Sequence, residues 1–219
     1  MGIFISFIIG SVWGSFFGLL VDRIPLGKSI VFERSHCDVC QKRLAVWDLV
    51  PIFSQLFSRL RCRFCGAKIP LMYLMLELSC GLAFVLAWLG WLDYPQFLLI
   101  LLSLLLSAFD QRQHAFPLIV WLVFALMMLL TGPSVLLNYI WLILAFLAER
   151  FDLKIGSGDF LWLFTASLAL TFLQEIMVIQ IASLLGIFYY FLFKKRNEIA
   201  FIPFLTIAYL MLLLWAQIQ

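Results

Sequence analysis

Two aspartates stand against long apolar runs. Asp110 closes the run Phe97 to Phe109, and Asp159, behind Gly156-Ser157-Gly158, opens the run Phe160 to Leu173. A carboxylate at a hydrocarbon boundary is costly unless it is paired, hydrated or used. Two of them form the outline of an aspartic acid–base pair. One carboxylate takes a proton from a water that attacks a scissile carbonyl; the other, protonated, donates to the carbonyl oxygen and then to the leaving amine. Two carboxyls sharing one proton have apparent pKa values pushed apart, so both roles are available near neutral pH. Gly156 and Gly158 lack side chains and let another backbone come close, so an extended substrate is expected to lie there.

The remaining acids read differently. Asp93 and Glu175 are outer-loop charges, and Glu149 and Asp152 beside Arg150 and Lys154 form a solvated, paired turn. Glu77 lies inside an apolar run, as a structural polar contact or part of a second site. The histidines, His36 and His114, have no obvious nucleophile nearby in sequence, which disfavours serine or cysteine catalysis. No phosphate-binding glycine loop is present, and no nucleic-acid partner is expected.

A second constellation is made of cysteines. Cys37-Asp38-Val39-Cys40 and Cys62-Arg63-Phe64-Cys65 are two CxxC knuckles separated by 21 residues. This spacing is close to that of a zinc ribbon, in which four thiolates close a tetrahedron around one structural ion. Such a site has no open coordination position and would supply folding energy to a loop with little core. Free thiols or a redox pair are the alternative. His36 reads as a surface neighbour of the ligands, and Cys80 as a packing residue in an apolar run. Between the knuckles, Leu49, Ile52, Phe53, Leu56, Phe57 and Leu60 recur at helical spacing and predict a short amphipathic helix on the membrane face or the bundle.

The elements that position these groups must be membrane helices. The 219 residues are 65% hydrophobic and 12% charged, with a mean hydropathy of +1.08. That composition predicts an all-α polytopic membrane protein. Eight spans are expected, at roughly 3–20, 71–91, 96–109, 117–131, 135–148, 160–173, 176–193 and 199–216. The first has no basic residue before Arg23, so it reads as a retained helix and not as a cleaved signal. With alternating passes, segments 22–70, 110–116, 149–159 and 194–198 share one side and hold nine, one, two and three Lys/Arg, all 15 in the chain. Basic residues stay in the cytoplasm, so these loops face it, both termini face out, and both aspartates lie at the cytoplasmic surface. The expected domains are a first helix (1–21), a four-cysteine domain (22–70) and a helical bundle carrying the aspartates (71–219). Segment 22–70 has four acids against its nine bases, and its excess positive charge suits anionic lipid headgroups.

Taken together these residues resemble the bacterial type IV prepilin peptidases. The resemblance rests on Gly14-Ser15-Phe16 with Asp22-Arg23-Ile24-Pro25, on Arg34-Ser35-His36-Cys37 with Cys40, and on Trp47-Asp48 with Pro51. It continues through Arg61-Cys62-Arg63 with Cys65, Glu77-Leu78 with Gly81, Asp110 with Pro117, Gly156-Ser157-Gly158-Asp159 and Ile202-Pro203-Phe204. It implies that Asp110 and Asp159 are catalytic and cleave the short basic leader of type IV prepilins or pseudopilins after a glycine. It further implies methylation of the new N-terminus with S-adenosylmethionine, and residence in the bacterial inner membrane. This chain departs from the family pattern at Leu161, where a lysine is usual, and at Leu60, where a glycine is usual. No GxGxG-type fingerprint for S-adenosylmethionine is present. Two other readings share some of these residues: a GxGD protease of a different substrate, and a non-catalytic scaffold or transporter whose zinc loop recruits partners.

Overall fold

The computed structural model describes residues 1–32, 34–113, 116–130, 136–151, 156–193 and 200–218. His114, Asp152, Lys154, the Gly132-Pro133 turn and the basic stretch 194–198 lie outside the described residues. The described chain is helical, with two isolated antiparallel bridges and no strand among the described residues. Its helices are α1 (Gly2–Arg23), α2 (Phe53–Phe57), α3 (Leu71–Trp88), α4 (Tyr94–Gln113), α5 (Leu118–Leu129), α6 (Ile140–Arg150), α7 (Ser157–Ser167), α8 (Phe172–Phe193) and α9 (Ile202–Ile218).

Each of the eight apolar runs coincides with a helix, but the helices differ in reach. Among the described residues four are long and apolar enough to cross a membrane: Gly2–Leu26, Leu71–Trp88, Tyr94–Gln113 and Phe172–Leu192. Leu118–Leu129 and Ile202–Trp215 are apolar but shorter, and α6 and α7 have 11 residues each. At 1.5 Å per residue, 11 residues rise about 16 Å, roughly half of a hydrocarbon core. The full set of eight crossings expected from the apolar runs is therefore not what helix length alone supports.

The chain forms two compact units, Met1–Gly90 and Trp91–Gln219. In the first, α1 packs along α3 and carries the cysteine loop between them. Gly10, Gly14 and Gly18 recur every fourth residue, the small-residue stripe that lets two membrane helices touch backbone to backbone. A Cβ on Gly10 would sit 2.5 Å from the Cys80 carbonyl oxygen, one on Gly14 2.5 Å from that of Leu76, and one on Gly18 2.7 Å from the Tyr73 ring. Cys80 is fully buried at this contact, in the packing role its small size suggests.

In the second unit α4 is the central element, with Leu99, Leu102, Leu105 and Leu106 fully buried. Ser103, Ser107 and Asp110 follow one another at spacings of four and three and share one face of α4. Trp162 of α7 donates to Ser103 Oγ at 2.8 Å. Thr206 of α9 lies 2.7 Å from the Ser107 hydroxyl, and its single hydroxyl proton faces the Ile202 carbonyl at 2.9 Å and the Ser103 carbonyl at 3.3 Å. Trp121 of α5 donates to the Leu161 carbonyl of α7 at 2.9 Å. In an apolar bundle such bonds fix which faces meet, because each buried polar group needs its partner.

Candidate active site and metal centre

The polar face of α4 ends at Asp110, half-buried near the end of the helix. Its Oδ2 accepts a hydrogen bond from the Ile202 N–H, the first residue of α9, at 3.2 Å. A helix N-terminus presents N–H groups without internal partners, and a carboxylate is a favourable acceptor there. Asp159 lies in the first turn of α7, one residue before the apolar run 160–173, and is also half-buried. Its N–H bonds the Gly156 carbonyl at 3.1 Å. The structure thus places both aspartates in one unit, at the ends of two packed helices. Asp110 is close enough for its charge to act on Asp159. Partial burial first, and Asp110 second, raise the Asp159 carboxyl to about 7.

The two glycines before Asp159 differ. Gly156 is exposed, and a Cβ there would come 3.3 Å from Asp159 Oδ2, so a side chain would crowd the carboxylate. Gly158 is buried, and the space where its Cβ would stand is taken by the Phe116 ring. Chemically the arrangement offers a carboxyl raised to about 7 within electrostatic reach of a second carboxyl that accepts from a helix N-terminus.

The cysteine loop is a second site. The Sγ atoms of Cys37, Cys40, Cys62 and Cys65 all lie within 4.8 Å of one another, and those of Cys37 and Cys65 are 3.8 Å apart. A tetrahedron with metal–sulfur bonds of about 2.3 Å has edges of about 3.8 Å. The four thiols therefore fit a single ion of the zinc type, with every position filled by protein. His36 is outside this set, its Nδ1 lying 3.2 Å from the Arg34 carbonyl.

The knuckles repeat each other at an offset of 25 residues. Gln41 N–H bonds the Cys37 carbonyl and Gly66 N–H the Cys62 carbonyl, both at 2.8 Å. His36 bridges Arg43, and Arg61 bridges Lys68. The residue after each second cysteine is left-handed, Gln41 at φ 56° and Gly66 at φ 72°. N–H groups of Cys65 and Phe64 bring the Cys62 thiol down to about 7. The Ala67 N–H acts the same way on Cys65, but desolvation and the neighbouring thiols outweigh it and hold that thiol up at about 11.

Two expectations need correction. The amphipathic helix between the knuckles is broken: a short 3-10 turn covers Val46–Leu49, and α2 has only five residues. Pro51 and left-handed Ile52 (φ 64°) interrupt it before α2, and left-handed Arg59 and Leu60 follow it. Glu175 is not a solvated outer charge. It is 4% exposed in the first turn of α8, with the Trp141 side chain near its carboxyl.

Glu77 resolves to its structural reading, being 3% exposed. Its Oε2 accepts from the Ile52 N–H at 2.6 Å and the Gln55 amide at 2.7 Å, with the Ser15 side chain of α1 near the same carboxyl. It thereby ties the cysteine loop to α3. Asp48 does a similar task at the surface, accepting from the Ala45 N–H and pairing with Arg63 at 3.3 Å.

Residues 8–91 match the family described as Bacterial Peptidase A24 N-terminal domain. A prepilin leader peptidase/N-methyltransferase of Myxococcus xanthus is 40% identical over 111 residues, 49% of this chain and 33% of that protein. One from Klebsiella pneumoniae is 34% identical over 123 residues, 51% of this chain and 53% of the relative. One from Bacillus subtilis is 41% identical over 83 residues, 38% of this chain and 34% of the relative. The matches span between about a third and a half of these relatives' lengths. No solved structure matches the chain. Through these segments the chain is similar to the bacterial prepilin peptidase/N-methyltransferases.

Proposed function

We propose that this protein removes the leader of type IV prepilins or pseudopilins at the cytoplasmic face of the bacterial inner membrane, with Asp110 and Asp159 as the catalytic pair. The observation that carries this reading is that two half-buried carboxyls stand near the ends of α4 and α7 within electrostatic reach of each other, with Asp159 raised to about 7 by burial first and by the Asp110 charge second. Asp159, keeping its proton near pH 7, is the acid that donates to the scissile carbonyl oxygen. Asp110 is the base that takes a proton from the attacking water. As the C–N bond breaks, Asp110 passes the water's proton to the leaving amine nitrogen and Asp159 recovers its proton from a hydroxyl of the tetrahedral intermediate, so both carboxyls end as they began and the titration belongs to the pair. The cleaved segment must be unwound, because a helix hides its peptide carbonyls. Exposed Gly156 is where its backbone approaches Asp159.

All eight apolar helices cross or dip into the bilayer in this reading, with both termini outside and the basic loops inside. The four cysteines hold a structural zinc that folds the loop 22–70 without taking part in hydrolysis. Methylation of the new N-terminus with S-adenosylmethionine follows the family resemblance and the names of the relatives. We assign it no residues.

The test is cleavage of a model prepilin in vesicles by wild type, Asp110→Asn and Asp159→Asn, read by mass spectrometry. Wild type should release the leader, and both variants should lose activity while keeping their helical content and melting temperature. A further ~14 Da on the new N-terminus would report methylation. Variants that cleave as fast as wild type would reduce both aspartates to boundary charges.

A further inference from the structure

A cavity of about 590 Å³ opens in the first unit between the end of α1 and the first cysteine knuckle. It is lined by Lys28, Phe32, Arg34, His36, Gln41 and Arg43. Three of the six are permanent cations and a fourth is an imidazole. None of the described lining residues is acidic, Glu33 lying outside the described residues, and among the described residues Lys28, Arg34 and Arg43 form no ion pair. Like charges gathered round a hollow repel one another unless an anion sits among them.

The backbone holds this arrangement in place. The bridge between His36 and Arg43, closed by Cys37 N–H to the Lys42 carbonyl and Leu44 N–H to the Ser35 carbonyl, sets one wall. Gln41 is fixed by its left-handed backbone and by its amide bond to the Asp38 carbonyl at 2.9 Å. On the other wall, Gly27 turns the chain at φ 63°, and Lys28 N–H returns to the Arg23 carbonyl. Buried Arg23 donates to the Ser29 carbonyl at 2.7 Å and pins the segment leaving the helix.

Location narrows the ligand. The apolar span Gly2–Leu26 ends two residues before Lys28, which puts the cavity at the depth of lipid headgroups. Phe32 at its rim is 91% exposed, an apolar side chain suited to the acyl boundary beside a charged hollow. We propose that this cavity is a binding site for a phosphate-bearing anion, with Lys28, Arg34 and Arg43 as its cationic walls. The proposal goes beyond a diffuse attraction of the basic loop to the membrane, and it stands whether or not the chain is a peptidase.

The test uses full-length protein in detergent, titrated with phosphatidylglycerol, phosphatidylcholine or inorganic phosphate. Lipid binding is read by native mass spectrometry and phosphate binding by equilibrium dialysis. Saturable phosphatidylglycerol binding with none of phosphatidylcholine supports a lipid as the source. Saturable binding of inorganic phosphate alone supports a soluble anion at the same site. Each cation near the surface contributes about a fivefold factor, so Arg34→Gln/Arg43→Gln should weaken the bound anion roughly 30-fold. Lys28→Gln alone should weaken it about fivefold. Arg59→Gln/Lys68→Gln removes the same charge elsewhere in the loop and should have little effect. An equal loss in that control pair, unchanged binding in the pocket variants at an unaltered melting temperature, or equal binding of the two lipids without phosphate binding, would overturn the proposal.

Discussion

Replacing Glu77 should loosen the cysteine loop without touching a single cysteine. The carboxyl accepts from Ile52 N–H and the Gln55 amide, and Ile52, Gln55 and Glu77 are all buried. Hydrogen bonds to a charged acceptor contribute about 1.5–3 kcal/mol each, and a buried donor left without a partner costs about 1–3 kcal/mol. Glu77→Ala strands two buried donors, so the segment from Ile52 to Gln55 should lose roughly 3–6 kcal/mol of local stability. A loss of about 3 kcal/mol is already more than 100-fold in an opening equilibrium, since each 1.4 kcal/mol is a factor of ten. Glu77→Gln keeps a carbonyl acceptor of the same shape but removes the charge, and should fall between. The assay is hydrogen–deuterium exchange of detergent-solubilised protein, followed in peptides covering residues 50–57. The expected order is wild type slowest, Glu77→Gln faster, Glu77→Ala fastest, with peptides from α4 unchanged. If Glu77→Ala exchanges at the wild-type rate in residues 50–57, the carboxyl does not anchor the loop and the reasoning fails.

Because Asp159 has a folded pKa raised to about 7, above the usual carboxylate range, its folded form keeps a proton that the unfolded chain has already lost. The resulting contribution is fully present below about pH 4 and is lost as pH rises to about 7. Melting temperature measured at pH 5 and pH 8 should show this fall in wild type and a flatter profile in Asp159→Asn. Chelation should raise tryptic cleavage within 22–70 while leaving the described helices of 91–219 protected, and Cys37→Ser should do the same. Gly14→Leu should separate α1 from α3, since even a Cβ there meets the Leu76 carbonyl oxygen at 2.5 Å. Overpacking of this kind costs about 1–3 kcal/mol, read as a lower melting temperature, and Val12→Leu on the exposed face should cost far less.

Much of the helical framework was legible because apolar runs bounded by Gly, Pro and charge are the strongest signal a membrane sequence carries. The four cysteines were legible for the same reason: their spacing is local. Two further local patterns carry signals of the same kind. One is the Gly10, Gly14, Gly18 stripe that forecasts close contact with another helix. The other is the correspondence of His36-Cys37 through Arg43 with Arg61-Cys62 through Lys68. What stayed hidden depends on distant partners. Apolar spacing at Leu49, Ile52, Phe53, Leu56, Phe57 and Leu60 suggested one helix, but Pro51 and the left-handed Ile52, whose N–H goes to Glu77, split it. Glu175 looks like a loop charge in sequence because it sits near a short polar turn, whereas the packing that buries it comes from elsewhere in the chain. The bond from Ile202 to Asp110 spans 92 positions and has no sequence signature.

That bond makes Asp110 part of a helix end as well as part of a carboxyl pair. A carboxylate holds a helix N-terminus more firmly than a carboxylic acid does, because it meets the positive end of the helix dipole with a full charge. Whenever Asp110 gains a proton, its grip on Ile202 weakens, and α9 is held less tightly at the very end that flanks the two carboxyls. Protonation of one oxygen atom is thereby transmitted to a helix of 17 residues. The start of α9 becomes a mechanical reporter of the charge on Asp110.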